Sequence, residues 1–470
     1  MTRQSEARSW AWDEFGAAEL GDARRTGRLV AMAAAAAQRP SGLVSAVFGG
    51  DAERQGAYDF LESSHTSAGP IVDAVGRSCV ARCMGEPFVY VPIDGTSLTI
   101  VDHENSKGFG HVGTYQHGLR GLKVVTALAV SPSGTTIGVA HLEWWNRPRY
   151  GKLSSYRPPA QRESQKWRDT IDAVIGRFKE AAPNLRLWFQ LDREGDMKTT
   201  LIPLVNSGHW FTVRSQYNRR LKDQGCDRSY LRDKMAGRRV IGEYSIHVPR
   251  RGKRMARRAR LNVRCGSFTI ATQNKWNRQI VPLDLNIVWV REVGRVPPGH
   301  KRLQWMLLTN RPTQTLEQAR EVVDGYCYRW RIEDFHRTWK SGVCDVEHSQ
   351  LRGSPQMQKW ATILAAVAAR AERLKHLART APDQPASLEL SSFELKALRI
   401  LKERQKKRTE TLPDRDPTTN EAVTWIAQLG GYIHRKAQGP PGSKTIQRGL
   451  DRLLPAAELL EALAEQKKIR

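Results

Sequence analysis

YCYRWRIEDFHRTWK, running from Tyr326 to Lys340, reads as one amphipathic helix. A helix advances about 100° per residue, so Tyr326, Arg329, Glu333 and Lys340 fall on one strip about 60° wide. Ile332, Phe335 and Trp339 fall on the opposite side, which suits packing. The strip offers one carboxylate among a phenol, a guanidinium and an ammonium. That set suits a metal–phosphate site, with the carboxylate holding a divalent ion and the three donors holding phosphate oxygens. The same pattern also suits a surface helix with salt-bridged charges.

A single Glu cannot hold a pair of metal ions. Asp94 follows the β-rich run FVYVPI (Phe88–Ile93), and Asp192 follows LRLWFQL (Leu185–Leu191). A strand end is a rigid place for a ligand. Two Asp on neighbouring strands, with Glu333 from a crossing helix, can hold two metal ions roughly 3.5–4 Å apart. Either Asp alone would read more simply as a turn or helix-cap residue.

Outward from these residues, helical and strand-like segments alternate. Lys123–Val130 and Thr136–Ala140 flank the Ser131–Gly134 turn as a hairpin. Lys166–Lys179 carries Trp167, Ile171, Val174 and Phe178 on one stripe. Trp210–Val213 and Leu303–Thr309 read as strands, and a long helix is expected from Leu316 to about Gly342. Tyr244, Ile246, Val248 and Leu283, Leu285, Ile287 alternate with period 2 and bracket a basic segment, Arg250–Arg264. Glu62–Pro70, Arg379–Ser392 and Ala437–Thr445 read as linkers or loops. The first sixty and last hundred residues look helical, with Pro455–Lys467 as a terminal amphipathic helix. The expected fold is α/β, a mixed sheet with flanking helices. The expected units are 1–66 helical, 67–375 mixed α/β with period-2 strands at about 215–300, and 376–470 helical.

Composition narrows the class. The chain has 470 residues, 75 Lys plus Arg against 48 Asp plus Glu, and a net charge of +27. A folded chain this basic calls for a polyanionic partner, and nucleic acid is the usual one. No apolar stretch is long enough to span a bilayer, and the polar start carries no secretory signal, so no membrane partner is expected. Six Cys without a paired framework point to a reducing, cytoplasmic setting.

The Tyr-x2-Arg-x3-Glu-x6-Lys spacing resembles the signature of bacterial DDE transposases of the insertion-sequence-four family, and most of all their transposon-five type. Ordered blocks extend the resemblance: LGDARRTGRLV (Leu20–Val30), QGAYDF (Gln55–Phe60), IDGTSL (Ile93–Leu98), EWWNRP (Glu143–Pro148), ESQKW (Glu163–Trp167), LDREGD (Leu191–Asp196), FTVRS (Phe211–Ser215), LQWMLLT (Leu303–Thr309) and QLGGYI (Gln428–Ile433). The resemblance implies an RNase H-like core with a β-rich insertion before the Glu-bearing helix. It implies a catalytic, metal-binding triad of Asp94, Asp192 and Glu333, using two Mg²⁺ ions, with Mn²⁺ as a substitute. Tyr326, Arg329 and Lys340 inherit phosphate contacts near the transposon end. Trp305, in the strand before the helix, matches the acceptor of a base flipped during hairpin chemistry, and Trp330 matches its brace. Arg24, Arg25 and Arg28 lie in the end-binding helices, and Arg214 is a further DNA-binding candidate.

The implied activity is cut-and-paste transposition. Inverted-repeat ends of double-stranded DNA are cleaved through a hairpin, and their 3′-hydroxyls are joined to target DNA in a homodimeric synaptic complex. Leu459, Leu460 and Leu463 are candidates for the dimer contact. The expected location is the bacterial cytoplasm, on the nucleoid when bound to DNA. Two departures stand out. Asp59 replaces the Arg that follows the Tyr of QGAYDF in relatives, and Gly325 replaces an apolar helix former, at about 1 kcal/mol of helix propensity. A non-catalytic DNA-binding descendant and another RNase H-like nuclease, such as a junction resolvase, are the competing classes.

Overall fold

The computed structural model describes residues 6–102, 107–113, 117–147, 158, 162–222, 229–248, 255–273, 280–406, 408–433 and 439–469. Pro148 of the EWWNRP block, Arg250–Arg254 of the basic segment and Ala437–Gln438 of the expected loop lie outside them.

Five helices come first: α1 (Glu6–Phe15), α2 (Ala23–Gln38), α3 (Val44–Val47), α4 (Asp51–Glu62) and α5 (Ala68–Cys83). Asp22 starts α2 by accepting the Arg24 N–H, which accounts for the break expected at Gly21-Asp22. The linker expected at Glu62–Pro70 is shorter than its composition suggested, because α5 already begins at Ala68. The central segment gives β1 (Phe88–Ile100), β2 (Gly110–His111), β3 (Arg120–Val130), β4 (Thr136–Trp145), α6 (Glu163–Ala181), β5 (Arg186–Leu191), α7 (Lys198–Asn206) and β6 (Trp210–Arg214). The insertion holds α8 (Leu231–Ala236), β7 (Val240–Val248), β8 (Arg257–Gln273) and β9 (Ile280–Val293). β10 (Gln304–Thr309), α9 (Leu316–Cys327), α10 (Trp330–Lys340) and α11 (Ser354–Thr380) follow, then α12 (Ser392–Gln405), α13 (Thr419–Leu429) and α14 (Ser443–Ile469).

The described strands form one mixed sheet in the order β2-β3-β1-β5-β6-β10-β9-β8-β7, with β4 added on β3. β1, β5 and β6 run parallel, and the hairpin strands on either side run antiparallel. The insertion therefore extends the central sheet, through β9 on β10, and is not a separate layer. The apolar runs of β1 and β5 are buried on both faces, as expected of central parallel strands. Val89, Val91 and Ile93 meet the α6 stripe of Trp167, Ile171, Val174 and Phe178 on one side. Tyr90 and Trp188 meet the side that carries α9, α10 and α11. This two-layered covering of a mixed sheet is consistent with an RNase H-like core. A separate apolar cluster holds α12, α13 and α14 together.

Two expectations about element boundaries change. β1 does not end at Asp94 but continues to Ile100, because β3 pairs with it from Tyr90↔Val130 to Ile100↔Arg120. The long helix expected from Leu316 is two helices. Tyr328 and Arg329 stay right-handed, but the N–H groups of Tyr328, Arg329, Arg331 and Ile332 bond three residues back, not four. The β3–β4 turn pins this joint: Gly134, at φ 89°, packs against Tyr328, and its carbonyl accepts from Arg331 Nε at 2.8 Å. Only a glycine fits that left-handed, crowded position.

The terminal regions pack back on the core. α11 passes through the expected boundary at 375. Lys359 of α11 is 1% exposed and donates to the Ser63 and Thr66 carbonyls and the Thr66 hydroxyl at 2.9–3.0 Å. Trp360 Nε1 donates to the Gly42 carbonyl at 3.0 Å. α14 starts earlier than expected, contains Pro455, and returns to α2 through Arg39–Glu458 and Gln38–Glu461. No helix among the described residues is long and apolar enough to cross a membrane.

Candidate active site

The parallel register sets Ile93 beside Leu191, so the next residues, Asp94 and Asp192, stand side by side on neighbouring strands. Asp192 caps the short turn after β5, and its carboxylate accepts the Glu194 N–H at 2.7 Å. The other Asp of LDREGD is used differently. Asp196 is fully buried and accepts from the Gln216 and Tyr217 N–H groups and from Arg219, so it staples β6 and is not available to a ligand.

α10 brings the third carboxylate. Arg329, at the joint, ties the two sides together: its guanidinium donates to Glu333 at 2.6 Å and lies 3.6 Å from Asp94. Burial works against its charge, but Tyr326, Asp94 and Glu333 hold it protonated above its ordinary value. Burial also pushes the Asp94 carboxyl up to about 7, with Arg329 opposing and Asp192, Glu333 and Glu194 adding to the rise. Two carboxylates on one guanidinium, with Asp192 close enough to raise Asp94 and one of the three reluctant to ionise, are a donor set that fits divalent cations.

The strip expected on one continuous helix is in fact split across the joint, and its members are less exposed than its solvent-facing reading required. Tyr326 is 2% and Arg329 6% exposed. Burial raises the Tyr326 phenol, against the pull of Arg329 and Arg214. Trp305 on β10 is half-buried and meets Tyr326 edge-on at 5.9 Å. Arg214, at the end of β6, approaches the same phenol and donates to the Gln304 carbonyl at 3.3 Å. Lys340, at the far end of α10, pairs with Glu347 at 3.3 Å. Trp330 is 44% exposed, with the Arg329 guanidinium 5.4 Å from its ring. Ile332, Phe335 and Trp339 are fully buried, as their side of the helix required.

The N-terminal arginines are remote in sequence from this centre. Arg24 is exposed beside Asp22, Arg25 donates to the Leu20 carbonyl at 2.9 Å, and Arg28 lies against Gly56 of α4. Asp59 is exposed on α4 and accepts from Gln55 at 2.8 Å.

Two ionisable residues around the centre, His336 and Glu194, escaped sequence reasoning, and the role expected of Gly325 changes. His336, one turn beyond Glu333, is buried against Phe335 and Trp339, and its Nε2 lies 3.1 Å from Thr126 Oγ1. Thr126 pairs with Asp94 across β3 and β1. Burial, helped by Lys340 and Arg329, drives the imidazole down to about 3, so it is neutral. Glu194 is a fourth carboxylate beside Asp192, raised by burial and by that neighbour. Gly325 does not loosen a helix start. It lies near the end of α9, where a Cβ would come 2.7 Å from the Tyr90 ring and 3.3 Å from Gln190.

Comparison with known families gives three matches along the chain. A model for transposase DNA-binding matches residues 7–66, one for a transposase DDE domain matches 196–369, and one for the transposase Tn5 dimerisation domain matches 366–461. The DDE match includes Tyr326, Arg329, Glu333 and Lys340 and begins after Asp192. DNA binding, metal-dependent strand chemistry and homodimer formation thus follow one another along one polypeptide. The chain belongs to the Tn5-like DDE transposases.

Proposed function

We propose that this transposase cuts and pastes DNA through Asp94, Asp192 and Glu333, and that it opens each transposon end by way of a hairpin. The observation that carries the assignment is the convergence itself: Asp94 and Asp192 adjacent on β1 and β5, with Arg329 joining Asp94 to Glu333. Two Mg²⁺ ions, with Mn²⁺ as a substitute, would supply the Lewis-acid charge that activates the attacking oxygen and stabilises the leaving one. The three carboxylates would hold them.

The chain's own residues do the rest. Water attacks the phosphorus at the transposon end, a P–O bond breaks, and a 3′-hydroxyl leaves. That hydroxyl attacks the opposite strand, exchanging one phosphodiester for another and closing the hairpin. A second water opens it, and the freed 3′-hydroxyl joins target DNA. Arg329 retains a buried Nε donor with no hydrogen bond among the described residues, which suits a phosphate oxygen once DNA displaces its present contacts. Tyr326 and Lys340 are the other proposed phosphate donors. Trp305 and Trp330 are the proposed seat and brace for the base that a tight hairpin must extrude. Arg24, Arg25, Arg28 and Arg214 are proposed DNA contacts. The exposed Leu459 and Leu463 of α14 are proposed dimer contacts, whereas Leu460 packs against the C-terminal cluster.

The test is cleavage of the element's own inverted-repeat ends by purified protein with Mg²⁺. Hairpin-ended products that vanish with Asp94→Asn, Asp192→Asn or Glu333→Gln are expected. Linear ends without hairpins would reject the hairpin route, and full activity in Asp94→Asn would reject the triad.

A further inference from the structure

A second set of metal-ligating side chains lies beside the acidic triad but does not belong to it. Asp334 follows Glu333 on α10, and one step of helix turns it about 100° away, towards α11. There it meets Glu372 and His376, and one ligand atom from each of the three lies within 4.8 Å of the others. Glu372 and His376 are almost completely buried, and Asp334 is partly exposed.

Both buried groups are tied by one atom and turned inward by the other. His376 Nδ1 lies 3.1 Å from Thr136 Oγ1 of β4, and Glu372 Oε1 accepts from Thr338 at 2.5 Å. His376 Nε2 and Glu372 Oε2 then face each other at 3.5 Å; Nε2 has no hydrogen bond among the described residues, while Oε2 is the oxygen that the Lys375 ammonium holds. Burial, with Arg331, Lys375 and Arg379 nearby, keeps the imidazole neutral. In the tautomer whose Nδ1–H donates to Thr136, the Nε2 lone pair faces a buried carboxylate oxygen, an arrangement that a cation bound to both would satisfy. Lys375 meets part of that need: its ammonium pairs with Glu372 and lies 3.6 Å from Asp334. It also has another hold, Ser443 Oγ at 3.0 Å, at the start of α14.

We propose that Asp334, Glu372 and His376 form a second divalent-cation site that takes Zn²⁺ in preference to Mg²⁺, with Lys375 as the resident cation the metal displaces. An imidazole nitrogen with two carboxylates is a donor set for borderline ions, whereas Mg²⁺ favours oxygen alone. Thr136 and Thr338 orient the ligands as outer-shell partners do. An ion there would lock α10, one residue from Glu333, to α11, and shift Lys375 onto Ser443.

The test is Co²⁺ and Zn²⁺ titration of the full chain carrying Asp94→Asn and Asp192→Asn, followed by absorption and calorimetry. One Co²⁺ per chain with a mixed nitrogen–oxygen spectrum is expected, displaced by Zn²⁺ and not by Mg²⁺. His376→Gln and Asp334→Asn should each weaken binding roughly tenfold or more, and Lys375→Met should tighten it by a similar factor. Asp334 is partly exposed, so its variant keeps the test open if His376→Gln does not fold. Absence of Co²⁺ binding, binding unchanged in Asp334→Asn, or binding weakened by Lys375→Met would overturn the proposal.

Discussion

Gly325→Ala separates two opposed expectations. Intrinsic helix propensity favours Ala over Gly by about 1 kcal/mol, so on sequence grounds the change should stabilise α9. The new Cβ would lie 2.7 Å from Tyr90 Cε1, closer than any carbon pair tolerates. Tyr90 cannot swing aside, because Phe88, Trp188 and Tyr328 surround its ring at centroid distances of 5.1, 5.1 and 5.3 Å. Overpacking in such a place costs about 1–3 kcal/mol, and the crowding argues for the upper half of that range. After the propensity gain, a net loss of about 1–2 kcal/mol remains, which lowers the melting temperature by roughly 1–3 °C. Tyr90→Leu should make room, so Gly325→Ala added to Tyr90→Leu should be neutral or mildly stabilising. The assay is thermal denaturation of the four proteins in this cycle, followed by circular dichroism. A Gly325→Ala protein that melts higher than the parent would refute the close-approach account, and equal penalties in both backgrounds would assign the loss to something other than Tyr90.

Other expectations follow from the site. Arg329→Gln removes the cation nearest Asp94, whose carboxyl stands at about 7, so protonation should persist to higher pH. The rising limb of Mn²⁺ binding against pH should then move alkaline by about one unit or more in calorimetric titrations, and an unmoved limb counts against the contact. His336 is held at about 3 in the fold, well below its ordinary value, so the unfolded chain takes up its proton first as pH falls. The neutral imidazole costs the fold nothing above about pH 6.5, and stability is lost progressively as the pH falls towards 3, by about 5 kcal/mol. The melting temperature of His336→Gln should therefore depend less steeply on acid than that of the parent. Trp305→Ala should slow hairpin closure more than first-strand nicking, which gel analysis of the cleavage products resolves. A parallel loss in both steps would mean that Trp305 merely supports Tyr326.

Much of the centre was readable along the chain because its parts sit at the ends of strong local patterns. FVYVPI and LRLWFQL announce central strands, and the Asp after each inherits their parallel register. Ile332, Phe335 and Trp339 announce the buried side of α10. What could not be read depends on contacts between distant segments. The length of β1 beyond Asp94 is set by β3. The joint between α9 and α10 is fixed by the β3–β4 turn, nearly two hundred residues earlier, through Arg331 and Gly134. His336 looks like one more polar residue on a helix until Thr126 is brought beneath it. Nor does periodicity distinguish Asp192 from Asp196 in LDREGD, and only the partners of Asp196 do so.

The way α11 completes the N-terminal region bears on modularity. Residues 7–66 match a DNA-binding unit of their own, yet Lys359 and Trp360 reach that unit from nearly three hundred residues downstream. Excised from the chain, the unit would expose the surface around Phe48 that Trp360 covers, and would leave the Ser63 and Thr66 carbonyls without their buried donor. Such a unit does not graft readily onto another protein as a portable reader of DNA. On a ribosome, it stays unfinished until most of the chain has been made.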